Sequence, residues 1–197
     1  MAEASAPLAL VGIATALRAR GRSFAIVGGL AVSARSEPRF TRDVDIAVAV
    51  AHDADAEALV RDLSGDGYRV LAVVEHDVRK RLATARLLSP QGVTVDLLFA
   101  SSGIEPDVVA RSTDVELPGV GSIPVAVAED LLAMKILSMR EGRLQDRIDA
   151  QHLVQYVPEL DHALVRADLQ LITDRGYHRD QDLLAKFAAV LDDVERA

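Results

Sequence analysis

Two aspartates in one apolar run are the residues of this chain whose types and spacing best suit chemistry. Asp43 and Asp45 lie two apart at the start of DVDIAVAV, which the sequence predicts to be a mostly buried strand. Because side chains alternate between the faces of a strand, both carboxylates point to the same side, with Cα atoms roughly 7 Å apart. Two carboxylates in one space repel each other and are tolerated when a divalent cation lies between them. The pair therefore predicts a site for Mg²⁺ or Mn²⁺.

A third aspartate lies in the middle of another apolar run. Asp96 is the acid of VTVDLLF, and an acid in a central strand is costly unless it is paired, solvated or bound to metal. If this strand lies beside that of Asp43 and Asp45, the three acids form a cluster suited to two metal ions about 3.5–4 Å apart and to phosphoryl transfer. Two simpler interpretations stay open, namely a strand-entry Asp43 with a solvated Asp45, and an Asp96 that is paired with an arginine.

Two glycines at a predicted strand-to-helix turn add a phosphate-binding element. Gly28 and Gly29 follow the short apolar strand FAIV and open the helix LAVSAR. The N–H groups at the start of a helix bind phosphate, and glycine lets a phosphate approach the backbone closely. The glycines therefore strengthen the phosphoryl-transfer interpretation of the acids.

The elements that must position these residues fall into two parts. Residues 1–126 alternate short apolar runs with turn residues and predict an α/β (α+β) fold with a mixed sheet and flanking helices. Residues 127–197 are helical by period and predict a helical bundle. The predicted strands of the first part are 24–27, 43–50, 68–76, 81–89 and 93–100, with two short extended pieces over 114–126, and its helices are 5–20, 28–35, 53–63 and 105–112.

A lysine in the first helix of the second part needs a partner. Lys135 belongs to LLAMKIL, a helical stretch that is apolar almost all round. A phosphate or a carboxylate would satisfy a buried ammonium there, whereas a lysine at the bundle edge would extend its charge into water. Asp146 and Asp149 lie one turn apart on the next helix, either as functional acids or as a dipole-favoured acid followed by a solvated one.

These motifs together resemble the nucleotidyltransferase superfamily. After the Gly-Gly pair, RFTRDVD (39–45) is similar to the R-x-T-x-D-x-D motif of AbiEii-type nucleotidyltransferase toxins, and DLLAMK followed by RLQDRID is similar to a second motif of that family. The resemblance covers about residues 23–156. The chain departs from the pattern at Gly29, where the family often has serine, and at Leu144-Gln145, where the R-K-D wording is interrupted.

The resemblance implies a nucleotidyltransferase-like sheet domain over 1–126, with the helical region 127–197 closing the cleft. It implies transfer of a nucleoside monophosphate from an NTP to a hydroxyl, with release of pyrophosphate and with Asp96 helping to deprotonate the acceptor. The roles of Arg42, Arg143 and Asp149 stay open. The implied site residues are Asp43, Asp45 and Asp96 for metal and catalysis, Lys135 and Asp146 also for catalysis, and Gly28, Gly29, Arg39, Thr41 and Lys135 for the nucleotide.

The acceptor of the transferred group is not specified by these motifs. A tRNA or a protein is the expected acceptor if the chain is the toxin of a toxin–antitoxin pair, in which case a cognate antitoxin is an expected partner. A small molecule such as an aminoglycoside is the alternative acceptor. A non-catalytic nucleotide-binding or partner-binding module of the same fold is a further alternative.

The composition excludes several other classes of protein. The 197 residues contain no cysteine, which rules out a disulfide framework, a thiol nucleophile and a thiolate zinc site. A net charge of −8 and an aromatic content of 4% argue against a broad nucleic-acid-binding surface. No apolar run reaches the roughly 18 residues of a membrane span, and the N-terminus lacks a signal-peptide pattern, so we expect a cytoplasmic protein.

Overall fold

A mixed sheet of seven strands forms the centre of the computed structural model, which describes residues 6–196. The strands in chain order are β1 (Phe24–Val27), β2 (Val44–Val48), β3 (Arg69–Glu75), β4 (Leu82–Leu88), β5 (Thr94–Leu98), β6 (Thr113–Leu117) and β7 (Gly121–Val125). Across the sheet they run in the order β3-β4-β5-β2-β1-β7-β6.

Eight helices are present among the described residues, four before and four after residue 127. They are α1 (Ala6–Ala19), α2 (Gly28–Arg35), α3 (Asp53–Gly65), α4 (Glu105–Arg111), α5 (Ala128–Ser138), α6 (Leu144–Tyr156), α7 (His162–Asp174) and α8 (Leu183–Arg196). The predicted elements are therefore present with small shifts at their ends. No helix in the range 6–196 is long and apolar enough to cross a membrane.

The strand register brings the acids together. β2 pairs with β5 in parallel, and Asp45 lies directly opposite Asp96. On the other side of β5, β4 pairs antiparallel, and Arg86 lies opposite Asp96. The condition on which the sequence-based acid cluster depended, that the strands of Asp45 and Asp96 are neighbours, is thus met.

One buried hydrophobic cluster extends from the sheet into the C-terminal helices. Val44, Ile46 and Val48 of β2 have no exposed surface and point away from the carboxylates, as their alternation with Asp45 requires. Ile136 of α5 and Phe187 of α8 belong to the same cluster. This shared core holds α5 against the sheet, which fixes the position of Lys135 relative to the acids. The division of the chain into domains at residues 126 and 127 stays a prediction.

Candidate active site

A cavity of ≈ 450 Å³ lies between the sheet and helices α5 and α6. Hydrophobic side chains from both sides form part of its wall, among them Val74, Leu98 and Met134. The predicted site residues that line the cavity are Gly28, Asp43, Asp45, Asp96, Lys135 and Asp146. One space thus collects Asp43 from just before β2, acids from β2 and β5, the start of α2 and the charged residues of α5 and α6.

Asp45 occupies the most crowded position at the acid cluster. Burial, and then the negative charges of Asp96 and Asp43, raise the pKa of Asp45 to about 6, although Lys135 and the backbone N–H of Gly29 act in the opposite direction. Gly28 has a φ of +64°, and a Cβ atom at this position would lie 2.0 Å from Asp45 Oδ2. Only glycine therefore fits between the start of α2 and this carboxylate.

Asp96 has a cationic partner that the sequence analysis left unidentified. Arg86 Nε donates to Asp96 Oδ1 at 2.9 Å and Arg86 Nη2 donates to Oδ2 at 2.7 Å. This two-bond ion pair occupies both oxygens of a carboxylate whose residue is 7% exposed. Asp96 is thus paired with an arginine, as one of the two simpler interpretations expected, and it also lies opposite Asp45.

The symmetry of the β4–β5 hairpin explains why Arg86 and Asp96 pair. The predicted turn is centred on Gln91, and Arg86 and Asp96 both lie five residues from it. Residues equidistant from the centre of an antiparallel hairpin face each other, as these two do. An arginine inside the otherwise apolar strand LATARLL therefore pointed to the acid across the turn.

Lys135 is buried between two acids of α6. Its Nζ lies 2.9 Å from Asp146 Oδ1 and 2.8 Å from Asp149 Oδ2. Burial alone would lower the pKa of Lys135, but Asp146 and Asp149 outweigh this effect and raise it. The ammonium is therefore held by carboxylates at the cavity wall and does not extend into water at the edge of the bundle.

Gly29, Arg39 and Thr41 form a neighbouring cluster that does not line the cavity. Arg39 Nη2 donates to Asp149 Oδ2 at 2.7 Å, so Asp149 holds both Arg39 and Lys135. Burial would raise the pKa of Asp149, but these cations lower it below the ordinary value. In this structure Arg39 thus connects the loop before β2 to α6.

Two further arginines at the cavity belong to loops around the C-terminal helices. Arg143 precedes α6, and its Nη1 lies 3.6 Å from Asp146 Oδ2. Arg179, in the loop before α8, donates to the carbonyl oxygen of Ser101 at 3.0 Å. Burial, and then the positive charges of Arg140 and Arg143, lower the pKa of Arg179. Sequence reasoning missed Arg179 because no local pattern places the loop before α8 at the cavity.

The acids fit a site in which two carboxylates bind one divalent cation better than a site that three carboxylates form together. Within residues 6–196, no three His, Asp or Glu side chains form a group arranged to hold a metal ion. In addition, both oxygens of Asp96 accept hydrogen bonds from Arg86, which offsets the charge of this carboxylate. Asp43 and Asp45 remain, and two carboxylates completed by substrate phosphates and water are a common ligand set for Mg²⁺. The donor set therefore fits a single ion at Asp43 and Asp45.

Comparison with known proteins gives a family match and two similar folds. Residues 13–196 match the family described as nucleotidyl transferase AbiEii toxin, type IV TA system. A lincosamide antibiotic adenylyltransferase in its lincomycin-bound form is similar at a TM-score of 0.50 and 14% identity, over 77% of this chain and 98% of that chain. The antibiotic-resistance factor ANT(2'')-Ia is similar at a TM-score of 0.50 and 17% identity, over 96% of this chain and 93% of that chain. No curated protein sequence matches the chain. The similarity to these two nucleotidyltransferase-type structures confirms the predicted mixed α/β fold.

Proposed function

The chain belongs to the AbiEii family of nucleotidyltransferases, and from this membership we propose that it transfers a nucleoside monophosphate from an NTP to a hydroxyl of a macromolecular acceptor, with Mg²⁺ or Mn²⁺. The observation that carries the proposal is the convergence of Asp43, Asp45 and Asp96 on one cavity, which Gly28 and Lys135 also line. Family membership does not specify the cation, the acceptor or the role of each residue, and these belong to the proposal.

The proposed reaction is a substitution at the α-phosphorus of the NTP. The acceptor oxygen forms a bond to this phosphorus, the bond to the bridging oxygen breaks, and pyrophosphate leaves. Asp43 and Asp45 would hold the cation, which would offset charge on the phosphates. Asp96 is the proposed acceptor of the hydroxyl proton, once one of its bonds to Arg86 opens. Positioning and electrostatic stabilisation would supply most of the rate enhancement, as in phosphoryl transfer generally.

The remaining residues would bind and align the nucleotide. The backbone N–H groups at Gly28 and Gly29 begin α2, which is the kind of helix end that binds phosphate. The positive charge of Lys135 acts on the acid cluster without direct contact, because it lowers the pKa of Asp45. We propose that Asp146 and Asp149 hold this ammonium at the cavity wall. Arg39 and Thr41 would act on the nucleotide only through the packing of their loop against Gly29.

The charge of the cavity bears on the choice of acceptor. Its lining contains the acids Asp43, Asp45, Asp96 and Asp146 and the cations Arg86, Lys135, Arg143 and Arg179. These charges balance, so the cavity does not share the negative charge of the whole chain and does not by itself favour a cationic antibiotic. We therefore propose a tRNA or a protein as the acceptor, consistent with a toxin that has a cognate antitoxin.

Incubation of the protein with radiolabelled NTPs, Mg²⁺ and separate acceptor pools tests this proposal. The pools are total tRNA, cell protein, and an aminoglycoside or a lincosamide. We expect label on the tRNA or protein pool, whereas label on an antibiotic alone would favour the small-molecule alternative. Absence of transfer to every pool, with retained NTP binding, would favour a non-catalytic module.

Charge-neutralising variants test the site assignment in the same assay. We expect Asp43→Asn and Asp45→Asn each to reduce transfer by at least about a hundredfold, because each removes a charged group from the proposed cation site. Asp114→Asn, an exposed position on β6, is the matched control and should retain wild-type transfer. Undiminished transfer in both cavity variants would refute the assignment.

A further inference from the structure

The acid cluster carries more negative charge than its cationic neighbours offset. Asp45 and Asp96 face each other across two parallel strands, and Asp43, the residue before β2, lines the same cavity. Lys135 is the cation of α5 at this cavity, but its ammonium is bonded to Asp146 and Asp149. The charge on the three clustered acids must therefore be offset from elsewhere.

Arg86 is placed to supply that charge. It projects from β4 at the position directly opposite Asp96, and its guanidinium spans both carboxylate oxygens. The hydrogen bonds and charge of Asp96 raise the pKa of Arg86, and Asp43 and Asp45 add to this effect. Arg86 thus interacts with all three acids. Its side chain is 52% exposed and faces the cavity, so it is not a buried structural arginine.

The use of arginine at this position has a specific consequence. A planar guanidinium matches a carboxylate with two parallel hydrogen bonds, whereas a lysine ammonium is a point charge that binds one oxygen well. Each Asp96 oxygen therefore gives one of its lone pairs to the fork, and its negative charge is offset by the guanidinium. A divalent cation that binds Asp96 must share the carboxylate with the guanidinium and must approach its positive charge.

We infer that Arg86 is a built-in counter-ion that competes with a divalent cation for Asp96, so that the nucleotide-free site binds one cation, at Asp43 and Asp45. Three carboxylates and one guanidinium leave a charge of −2, which one divalent cation neutralises. Arg86 is thus a positioning residue, since it acts on the reaction through Asp96. This inference rests on the proposed cation site but on neither the acceptor nor turnover.

Titration of the nucleotide-free protein with Mn²⁺, followed by the electron paramagnetic resonance signal of the free ion, tests the inference. We expect one Mn²⁺ per wild-type chain. Arg86→Gln should bind Mn²⁺ about tenfold more tightly, because it removes a like charge close to the ion. Arg81→Gln is the matched control: Arg81 also pairs with an aspartate, Asp53, but lies outside the cavity, and its loss should leave Mn²⁺ affinity unchanged.

A conservative variant separates charge from hydrogen-bond geometry. Arg86→Lys keeps the positive charge but frees one Asp96 oxygen, so its Mn²⁺ affinity should lie between those of the wild type and Arg86→Gln. This variant also carries the test if Arg86→Gln does not fold, as judged by circular dichroism. Wild-type Mn²⁺ affinity in the folded Arg86 variants, two ions per wild-type chain, or no saturable binding in any variant would overturn the inference. Loss of NMP transfer with Mn²⁺ affinities as expected would refute only the proposed function.

Discussion

At the scale of single residues, Asp45 combines a functional position with an unfavourable environment. It is packed against Gly28, faces Asp96 across the sheet and lies two residues from Asp43. Burial and these like charges raise its pKa to about 6, so the folded state disfavours its ionised form. Such a carboxylate is retained at a cost in stability, which is the usual pattern at a site where charge is needed for function.

Removal of this charge should stabilise the protein in the absence of metal. We expect Asp45→Asn to raise the melting temperature by about 2–4 °C at neutral pH, the shift that about 1 kcal/mol produces in a chain of this size, because a repelling charge is replaced by an amide of similar shape. Addition of millimolar Mg²⁺ should raise the melting temperature of the wild type, since a ligand that binds only the native state stabilises it. The variant should lose most of this response.

Thermal scans of both proteins with and without Mg²⁺ measure the two effects together. Asp114→Asn serves again as the control, because it removes an exposed acid outside the cavity, and it should keep the wild-type response to Mg²⁺. A lower melting temperature for Asp45→Asn, together with no Mg²⁺ response in the wild type, would show that the three acids are separately satisfied and do not form a cation site.

At the scale of elements, local sequence patterns predict the helices and strands but not their long-range partners. Strand β2, which contains Asp45, and the β4–β5 hairpin follow from apolar alternation and a Pro-Gln-Gly turn, although β2 begins at Val44 and leaves Asp43 just before it. The parallel pairing of β2 with β5, on which the acid cluster depends, does not follow from local sequence, because β3 and β4 lie between these strands in the chain. Arg39 shows the same limit, since its partner Asp149 lies 110 residues away on α6.

Gly29, in the first turn of α2, packs so closely against the loop before β2 that a Cβ atom would not fit. A Cβ atom at position 29 would lie 2.5 Å from Arg39 Nη2 and 2.7 Å from Thr41 Cγ2. Arg39 can shift its flexible end, but only by weakening its bond to Asp149, and Thr41 is a short branched side chain with little freedom. The loop before β2 is thus fitted to glycine at this position.

We expect Gly29→Ala to destabilise the protein by about 1–3 kcal/mol, the typical effect of overpacking. Gly65→Ala is a matched control within α3, because no heavy atom lies within 4 Å of a Cβ built there. The control should be neutral or more stable by up to about 1 kcal/mol, since alanine favours helix. Urea denaturation measures both changes, and equal stabilities for the two variants would contradict the proposed fit of the loop.

At the scale of the whole molecule, one buried ion cluster connects the sheet region to the C-terminal helices. Arg111, at the end of α4, lies 2.6 Å from Asp130 Oδ1 of α5 and 2.8 Å from Asp168 Oδ1 of α7. Both aspartates are almost fully buried, and Asp168 Oδ2 has no hydrogen-bond partner within the described part of the chain. One guanidinium therefore serves two carboxylates that share a space of low polarity.

The excess negative charge of this cluster makes its stability depend on pH. Burial raises the pKa of Asp130 to about 7, with Asp168 adding to the rise and Arg111 opposing it. The ordinary value, which applies to the unfolded chain, is 3.8. Between these two values the folded state binds more protons than the unfolded state, so the free energy of unfolding falls as pH rises towards and through 7. The ion cluster is thus most favourable with Asp130 protonated.

Asp168→Asn should reduce this pH dependence, because Asp168 adds to the rise in the pKa of Asp130, although burial is the larger cause. For the wild type, Asp130 should contribute a loss of about 2 kcal/mol in the free energy of unfolding between pH 5.5 and 8.5. Urea denaturation across that range measures the loss, and the difference between variant and wild type cancels the titration of the histidines and of Asp45, which both proteins share. Asp174→Asn, at the exposed end of the same helix, is the control and should keep the wild-type slope. A variant slope equal to that of the wild type would show that Asp168 does not raise the pKa of Asp130, and the pH dependence of stability would then come from the burial of Asp130 alone.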